Sequence, residues 1–303
     1  MTFQYSFKDL LQRSERITWR VEDLISDDKP LDFNRPFMPQ NLARTDDLYF
    51  LTDEEQLKLN QIRGHAYLAI FGLVEEFILP FVLKHAQPDV TGEAYRARAY
   101  LEFAAEEAKH IHLFRQFREA FVRGFGIDCD VIGPAADIAA EVLSRPKLSV
   151  ALLTLHIEWM TQRHFQDSVT DDAAIDPQFK SLLLHHWMEE HQHAQLDTLM
   201  VYDIADGLSM EDIQAGIDGY LALGGFLDEG LKQQTLFDQV ALERAIGRQL
   251  DEAQSAAFMT QQHQANRWTY IGSGMSHPKF LETVGKLSPA KRAEIEGIAP
   301  SFS

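Results

Sequence analysis

The chain reads as an all-α protein on three observations. Apolar residues recur at three- and four-residue spacing along most of its length, helix-opening signals punctuate that pattern, and no alternating strand pattern bounded by hairpin turns occurs. Phe7, Leu10, Leu11, Ser14, Ile17, Val21, Leu24 and Ile25 line one face of a first helix. Pro30, Pro36 and Pro39 make the stretch from about Asp27 to Leu51 irregular. Thr52 to Glu55 reads as a capping box, in which hydroxyl and carboxylate satisfy free backbone donors, and it opens a long helix through Lys84. Thr91 or Gly92 starts the next helix, which ends near Gly124, and a helix from about Lys147 to Val169 follows. Asp176–Pro177 joins a cap to a proline at the first helical position, where its missing N–H costs nothing, and opens a helix to about Asp206. Ser209 to Asp212 and Thr235 to Asp238 look like two further starts, and Ser288–Pro289 opens a short terminal helix.

The 303 residues are long for a small domain and suit one large helical domain, with a four-helix core at about 52–206. The 45% apolar content can bury a sizeable core. A formal net charge of −18 disfavours nucleic acid, whose binding needs clustered Lys and Arg, and equally an anionic membrane surface. Most of the acidity is read as solubility. Cys129 is the only cysteine, so an intrachain disulfide and a cysteine zinc site are excluded and a catalytic thiol is disfavoured. The N-terminus shows no basic stretch followed by an apolar run, and no stretch of 18 apolar residues occurs, so a cytoplasmic protein that spans no membrane is expected.

The chemistry lies in two copies of Glu-x-x-His, Glu107 with His110 and Glu190 with His193. Residues three apart share a helix face, so carboxylate and imidazole can reach one metal ion together. One copy is weak evidence, since a chain this rich in Glu and His yields such a pair by chance. The surroundings make the case. Glu75 lies 32 residues before Glu107, and Glu158 lies 32 before Glu190. A single offset of 83 therefore maps Glu75, Glu106, Glu107 and His110 onto Glu158, Glu189, Glu190 and His193. Two helical hairpins, each with one Glu and one Glu-x-x-His, make a pseudo-twofold four-helix bundle. Four carboxylates bring about −4 of charge, which suits two divalent ions, and imidazoles complete sites fit for iron or manganese. The set matches the ligands of ferritin-like dimetal bundles. Glu75 is preferred over Glu76 by the equal spacing. Glu76, Glu106 and Glu189 are taken as solvent-facing or as partners behind the ligands.

His186 lies four residues before Glu190 and seven before His193, so the three fall within a wedge of about 60° on one helix face. Phe103 holds the equivalent place in the first hairpin, so His186 breaks the symmetry and reads as a seventh ligand. Asp197, one turn beyond His193, is a candidate to accept the free N–H of a ligand histidine and fix its tautomer. His185 and His191 point away from Glu190, and His156 and His164 lie off the Glu158 direction, so these are expected at the surface or behind the ligands. The segment Arg267–Pro278, mixing aromatics, glycines and a histidine, is read as a helix end packing on the core rather than a lid.

His186-x-x-x-Glu190-x-x-His193, preceded by Glu158 and by Glu75 with Glu107-x-x-His110, resembles the p-aminobenzoate N-oxygenase family of ferritin-like di-iron enzymes. The resemblance covers about residues 60–205. It implies a ferritin-like four-helix bundle with additional N- and C-terminal helices, and two iron ions held by all seven residues, with an Mn/Fe pair an alternative. It also implies activation of O2 with an electron donor, and oxidation of a small organic molecule, an arylamine nitrogen being the family's target. Two alternatives remain beside this oxygenase: a hydroxylase or desaturase of the same superfamily, which the third histidine disfavours, and a ferritin-like iron oxidase or iron-handling protein without organic substrate. The sequence leaves the substrate open, and monomer or homodimer as well.

Overall fold

The structure, a computed structural model, describes residues 5–88 and 92–303. Its helices are α1 Phe7–Ser14, α2 Val21–Leu24, α3 Gln40–Ala43, α4 Asp53–Ala86, α5 Ala94–Phe125, α6 Ala135–Leu143 and α7 Lys147–His164. They continue with α8 Pro177–Asp206, α9 Met210–Ile246, α10 Glu252–Arg267, α11 Ser273–Met275, α12 Pro278–Leu287 and α13 Pro289–Ile298. No strand occurs among the described residues.

Two hairpins, α4–α5 and α7–α8, form the four-helix core, and α9 covers the α4 and α7 side. The chain's local signals explain the starts. Thr52 and Glu55 make the expected reciprocal capping box on α4. Asp176 accepts from the Phe179 N–H ahead of Pro177 on α8, and Ser209 accepts from the Asp212 N–H on α9. Gly126, at φ +77°, closes α5, a conformation other residues adopt only with strain. Of the two expected starts of α5, Thr91 lies outside the described residues and Gly92 is not the cap; the cap is Glu93, whose carboxylate takes the Tyr95 and Arg96 N–H groups.

Tertiary packing overrides several expectations. The first helix is two, α1 and α2, separated by an extended Arg20. The break lets Trp19 lie parallel to His110, with ring centroids 6.2 Å apart. Thr235 and Asp238 start no helix, because α9 runs through both. The Thr235 hydroxyl bonds back to the Leu231 carbonyl, and buried Asp238 faces Arg63 of α4. α7 ends at His164 and passes into one π-helical turn, Phe165–Val169. The helices α6, α10 and α12 carry no start recognised in the sequence, although Asp251 and Gln254 form a second capping box on α10.

α4 is the one described helix long and apolar enough to cross a membrane, contrary to expectation, with mean hydropathy 1.9 over its most apolar 18 residues. Of that window 72% is buried, which identifies the core helix of the bundle. Arg267–Pro278 packs on the core as expected: a π-helical turn, Trp268–Gly272, leads into α11. Gly274 sits so close to α7 that an added Cβ would lie 2.5 Å from the His156 ring. Cys129 is half-buried in the loop before α6, and burial pushes its thiol up to about 12, which leaves it protonated and inert.

Candidate metal centre

The four core helices aim their acidic and imidazole side chains at one buried point. Glu75 comes from α4, Glu107 and His110 from α5, Glu158 from α7, and His186, Glu190 and His193 from α8. All seven are buried. The ligand atoms of Glu75, His110, His186 and Glu190 lie within 4.8 Å of one another, as do those of Glu107, His110, Glu190 and His193. Glu158 joins the cluster through the Glu190 carboxyl. Glu76, the rival to Glu75, is exposed.

Glu190 is the hub. One of its oxygens lies 3.1 Å from His110 Nδ1 and 2.6 Å from His186 Nε2, and the other 2.9 Å from His193 Nδ1. His186 Nε2 also lies 3.1 Å from Glu75. His186 therefore falls in the set with Glu75, while His110 and Glu190 belong to both sets.

Behind the cluster, the pseudo-twofold symmetry extends one layer outward with partners exchanged. His110 of α5 donates its Nε2 proton to Glu189 of α8 at 2.8 Å. His193 of α8 donates its Nε2 proton to Glu106 of α5, also at 2.8 Å. Each outer carboxylate is held in turn: Ser14 of α1 donates to Glu106, and Lys109 donates to Glu189 while lying 4.0 Å above the Trp19 ring. A histidine fixed in this way has its Nδ1 lone pair turned inward, as a metal ligand needs.

Asp197 does not take the expected part. It is buried, but neither carboxylate oxygen has a hydrogen-bond partner. The His193 Nε2 points towards α5, where Glu106 meets it. His156 and His164, expected at the surface or behind the ligands, are buried and bonded to Tyr220 and Tyr67 respectively. His185 and His191 are half-buried. The offset that pairs Glu106 with Glu189 was the sequence signal for the outer layer.

The electrostatics are those of a site short of positive charge. Burial pushes the carboxyls of Glu75 and Glu158 well above their usual range, and that of Glu107 above it. Burial opposes ionisation of Glu190 too, but His186, His193 and His110 around it hold its carboxyl well below the usual range. His110 and His193 resist desolvation and stay well above the usual imidazole range because carboxylates surround them. One oxygen each of Glu75, Glu107 and Glu158 has no hydrogen-bond partner, and the other Glu107 oxygen meets only His193 Nδ1, at 2.9 Å. Burying a charged group without compensation costs several kcal/mol, against about 0–1 kcal/mol gained from an exposed ion pair, so surface pairing cannot offset this cluster. Two divalent ions would satisfy the free oxygens and the inward Nδ1 atoms together, and the residues present fit them.

No protein-family profile matches the chain, and no curated protein does. Solved structures do. One variant of an R2-like ligand-binding oxidase with an aerobically reconstituted Fe/Fe cofactor shares 15% identity, covers 89% of this chain and 94% of its own, and superposes with a TM-score of 0.50. A second variant of an R2-like ligand-binding oxidase, with an aerobically reconstituted Mn/Fe cofactor, shares 16% identity over the same fractions, also with a TM-score of 0.50. At such low identity the likeness establishes the fold, a ferritin-like helical bundle, and this bundle buries a Glu/His cluster able to bind two metals.

Proposed function

We propose that this protein is a dimetal oxygenase that uses O2 and an external electron donor to oxidise a small, uncharged aromatic molecule, with an arylamine nitrogen as the reacting group. Glu75, Glu107, His110, Glu158, His186, Glu190 and His193 are the ligands. The observation that carries the reading is the juxtaposition of this seven-residue cluster with an apolar cavity. The cavity, about 320 Å³, lies against the two helices that contribute only one carboxylate each, and Phe71, Val74, Ile157, Met160, Phe226 and Tyr270 help to line it. Its size falls at the lower end of small-molecule sites.

These seven residues would hold two ferrous ions, which would supply the electrons for dioxygen activation. The protein's own residues do the rest. Glu106 and Glu189 hold the ligand histidines in one tautomer, and Phe71 lies between cavity and cluster, its ring edge-on to His186 at 5.5 Å. The apolar wall excludes water and orients the substrate. Among the described residues no Lys, Arg or His lines the cavity. That favours a neutral arylamine over one bearing a free carboxylate, whose burial without a partner is costly.

The test is turnover of a panel of neutral and carboxylated arylamines by iron-loaded protein with a chemical reductant, read by product mass spectrometry. Oxygen at nitrogen supports the proposal. Oxygen at carbon, or loss of two hydrogens, replaces it with a hydroxylase or desaturase. Iron oxidation without any organic product, in a cage-sized assembly, replaces it with iron handling.

Two variants sharpen the reading. His186→Ala is expected to lower iron content or slow the reaction with dioxygen; unchanged iron and oxygen kinetics would remove His186 from the ligand set. Gly230 lines the cavity, and an added Cβ there would meet only the end of the Ile132 side chain, at 3.6 Å. Gly230→Phe should therefore fill the cavity without breaking α9. Turnover is expected to fall about tenfold or more, the scale on which pockets discriminate small changes of shape, with metal content unchanged. Full turnover in this variant would place the substrate elsewhere.

A further inference from the structure

Tyr67, on α4 two turns before Glu75, is fully buried. Its hydroxyl lies 3.1 Å from His164 Nδ1. The other imidazole nitrogen, His164 Nε2, lies 3.0 Å from Ser273 Oγ. The direction of this chain is settled by its last link. Ser273 commits its own hydroxyl proton to the Thr269 carbonyl at 2.9 Å, so Ser273 Oγ must accept from His164 Nε2–H. The Nδ1 lone pair is then free, and Tyr67 O–H donates to it.

The phenol ring leads inward. It lies 4.4 Å from the Phe71 ring between centroids, and Phe71 lies 5.5 Å from the His186 ring. The imidazole end leads outward: His164 and Ser273 line a surface cleft with Arg44, Arg163 and Trp268. The cleft is bordered by residues of both π-helical turns, Asp167 and Ser168 of one and Trp268 of the other. Such turns recur where a helix is bent to serve a site.

We infer that Tyr67 is a redox-active tyrosine with His164 as its proton acceptor. In the step, Tyr67 loses one electron to the oxidant and its O–H bond breaks. The proton adds to His164 Nδ1, leaving a neutral phenoxyl radical beside an imidazolium. On the function proposed above, a dimetal centre held by the cluster would supply the one-electron oxidant, and Phe71 and His186 lie in line between Tyr67 and the residues that would hold it. Burial holds His164 down to about 3, so the imidazole is in its accepting, neutral form throughout the working range. An oxidised phenol is a far stronger acid than an imidazolium, so the proton still transfers, and it returns when Tyr67 is reduced. A second pair, Tyr220 and His156, has a shorter hydrogen bond of 2.7 Å, but the Tyr220 ring meets only His156 and Phe280 among the described ring contacts. Position, rather than the strength of the hydrogen bond, singles out Tyr67.

Two measurements test this. Iron-loaded protein mixed with oxygen in the absence of substrate and rapidly frozen is expected to show a tyrosyl radical by electron paramagnetic resonance. Its hyperfine splitting should collapse when the protein is grown on ring-deuterated tyrosine. The signal should vanish in Tyr67→Phe and persist in Tyr220→Phe, each with the iron content of the parent. Separately, the metal-free full-length chain is oxidised with a photosensitiser. There His164→Gln should slow formation of the Tyr67 radical by about 100-fold, the scale of a lost positioned proton acceptor. A radical that survives Tyr67→Phe, or none in either experiment, overturns the inference. Because the photochemical experiment needs no metal, a chain that fails to bind iron refutes the proposed function without touching this result.

Discussion

Reconstituted anaerobically with ferrous iron, the protein is expected to carry about two metal ions per chain, and Glu190→Ala close to none. The asymmetry of this effect follows from geometry. Glu190 faces His110 and His186 with one oxygen and His193 with the other, so it belongs to both halves of the cluster. Removing it takes a ligand from each site and leaves three histidines without their central counter-charge. By contrast Glu76→Ala, one residue from Glu75 but exposed, should leave the metal count unchanged. Elemental analysis with circular dichroism as a control for folding reads both. If Glu190→Ala retained about one ion, Glu190 would serve a single site and the bridging role would be wrong. Were the parent chain to bind none, the whole dimetal reading would fall.

Glu106→Ala and Glu189→Ala should each weaken metal binding by about 10–100-fold, the usual cost of losing the group that orients a ligand histidine. The weakened half is the one on the opposite hairpin: Glu106→Ala releases His193, and Glu189→Ala releases His110. Titration of metal-free protein with Co(II) or Fe(II) would show one tight and one weakened site in each single variant, and two weakened sites in the double variant. Each substitution also leaves a buried imidazole N–H unpaired, at about 1–3 kcal/mol, so thermal unfolding must be followed alongside. Affinities equal to the parent's in correctly folded variants would show that the outer carboxylates are not needed to hold the histidines.

What could be read from the chain was what depends on local spacing. The caps at Thr52, Asp176 and Ser209 act within three residues, and the structure has each. Glu107 with His110, and His186 with Glu190 and His193, share helix faces whatever the helices pack against. The 83-residue repetition brought Glu75 and Glu158 into the same set; the structure gathers six of the seven in two overlapping clusters and bonds Glu158 to Glu190.

What could not be read depends on how separate helices are rotated and staggered. Asp197 has the right place on its own helix, yet the N–H it was expected to take is met by Glu106 from α5, which no spacing along α8 could indicate. Thr235 and Asp238 look like a helix start because hydroxyl and carboxylate favour caps. Both instead find partners inside the bundle, Thr235 with Asn266 and Asp238 with Gln234, so the helix continues. Trp19 interrupts the first helix to cover His110. The cavity, and the pairing of Tyr67 with His164, join residues nearly a hundred or more positions apart. The sequence by itself determined the helices, their caps and the ligand types on each helix face, because these are set within a few turns of one chain segment. The tertiary structure alone decided which face meets which, because hydrogen bonds and cavities between helices depend on their packing angle and axial offset, which no single helix encodes.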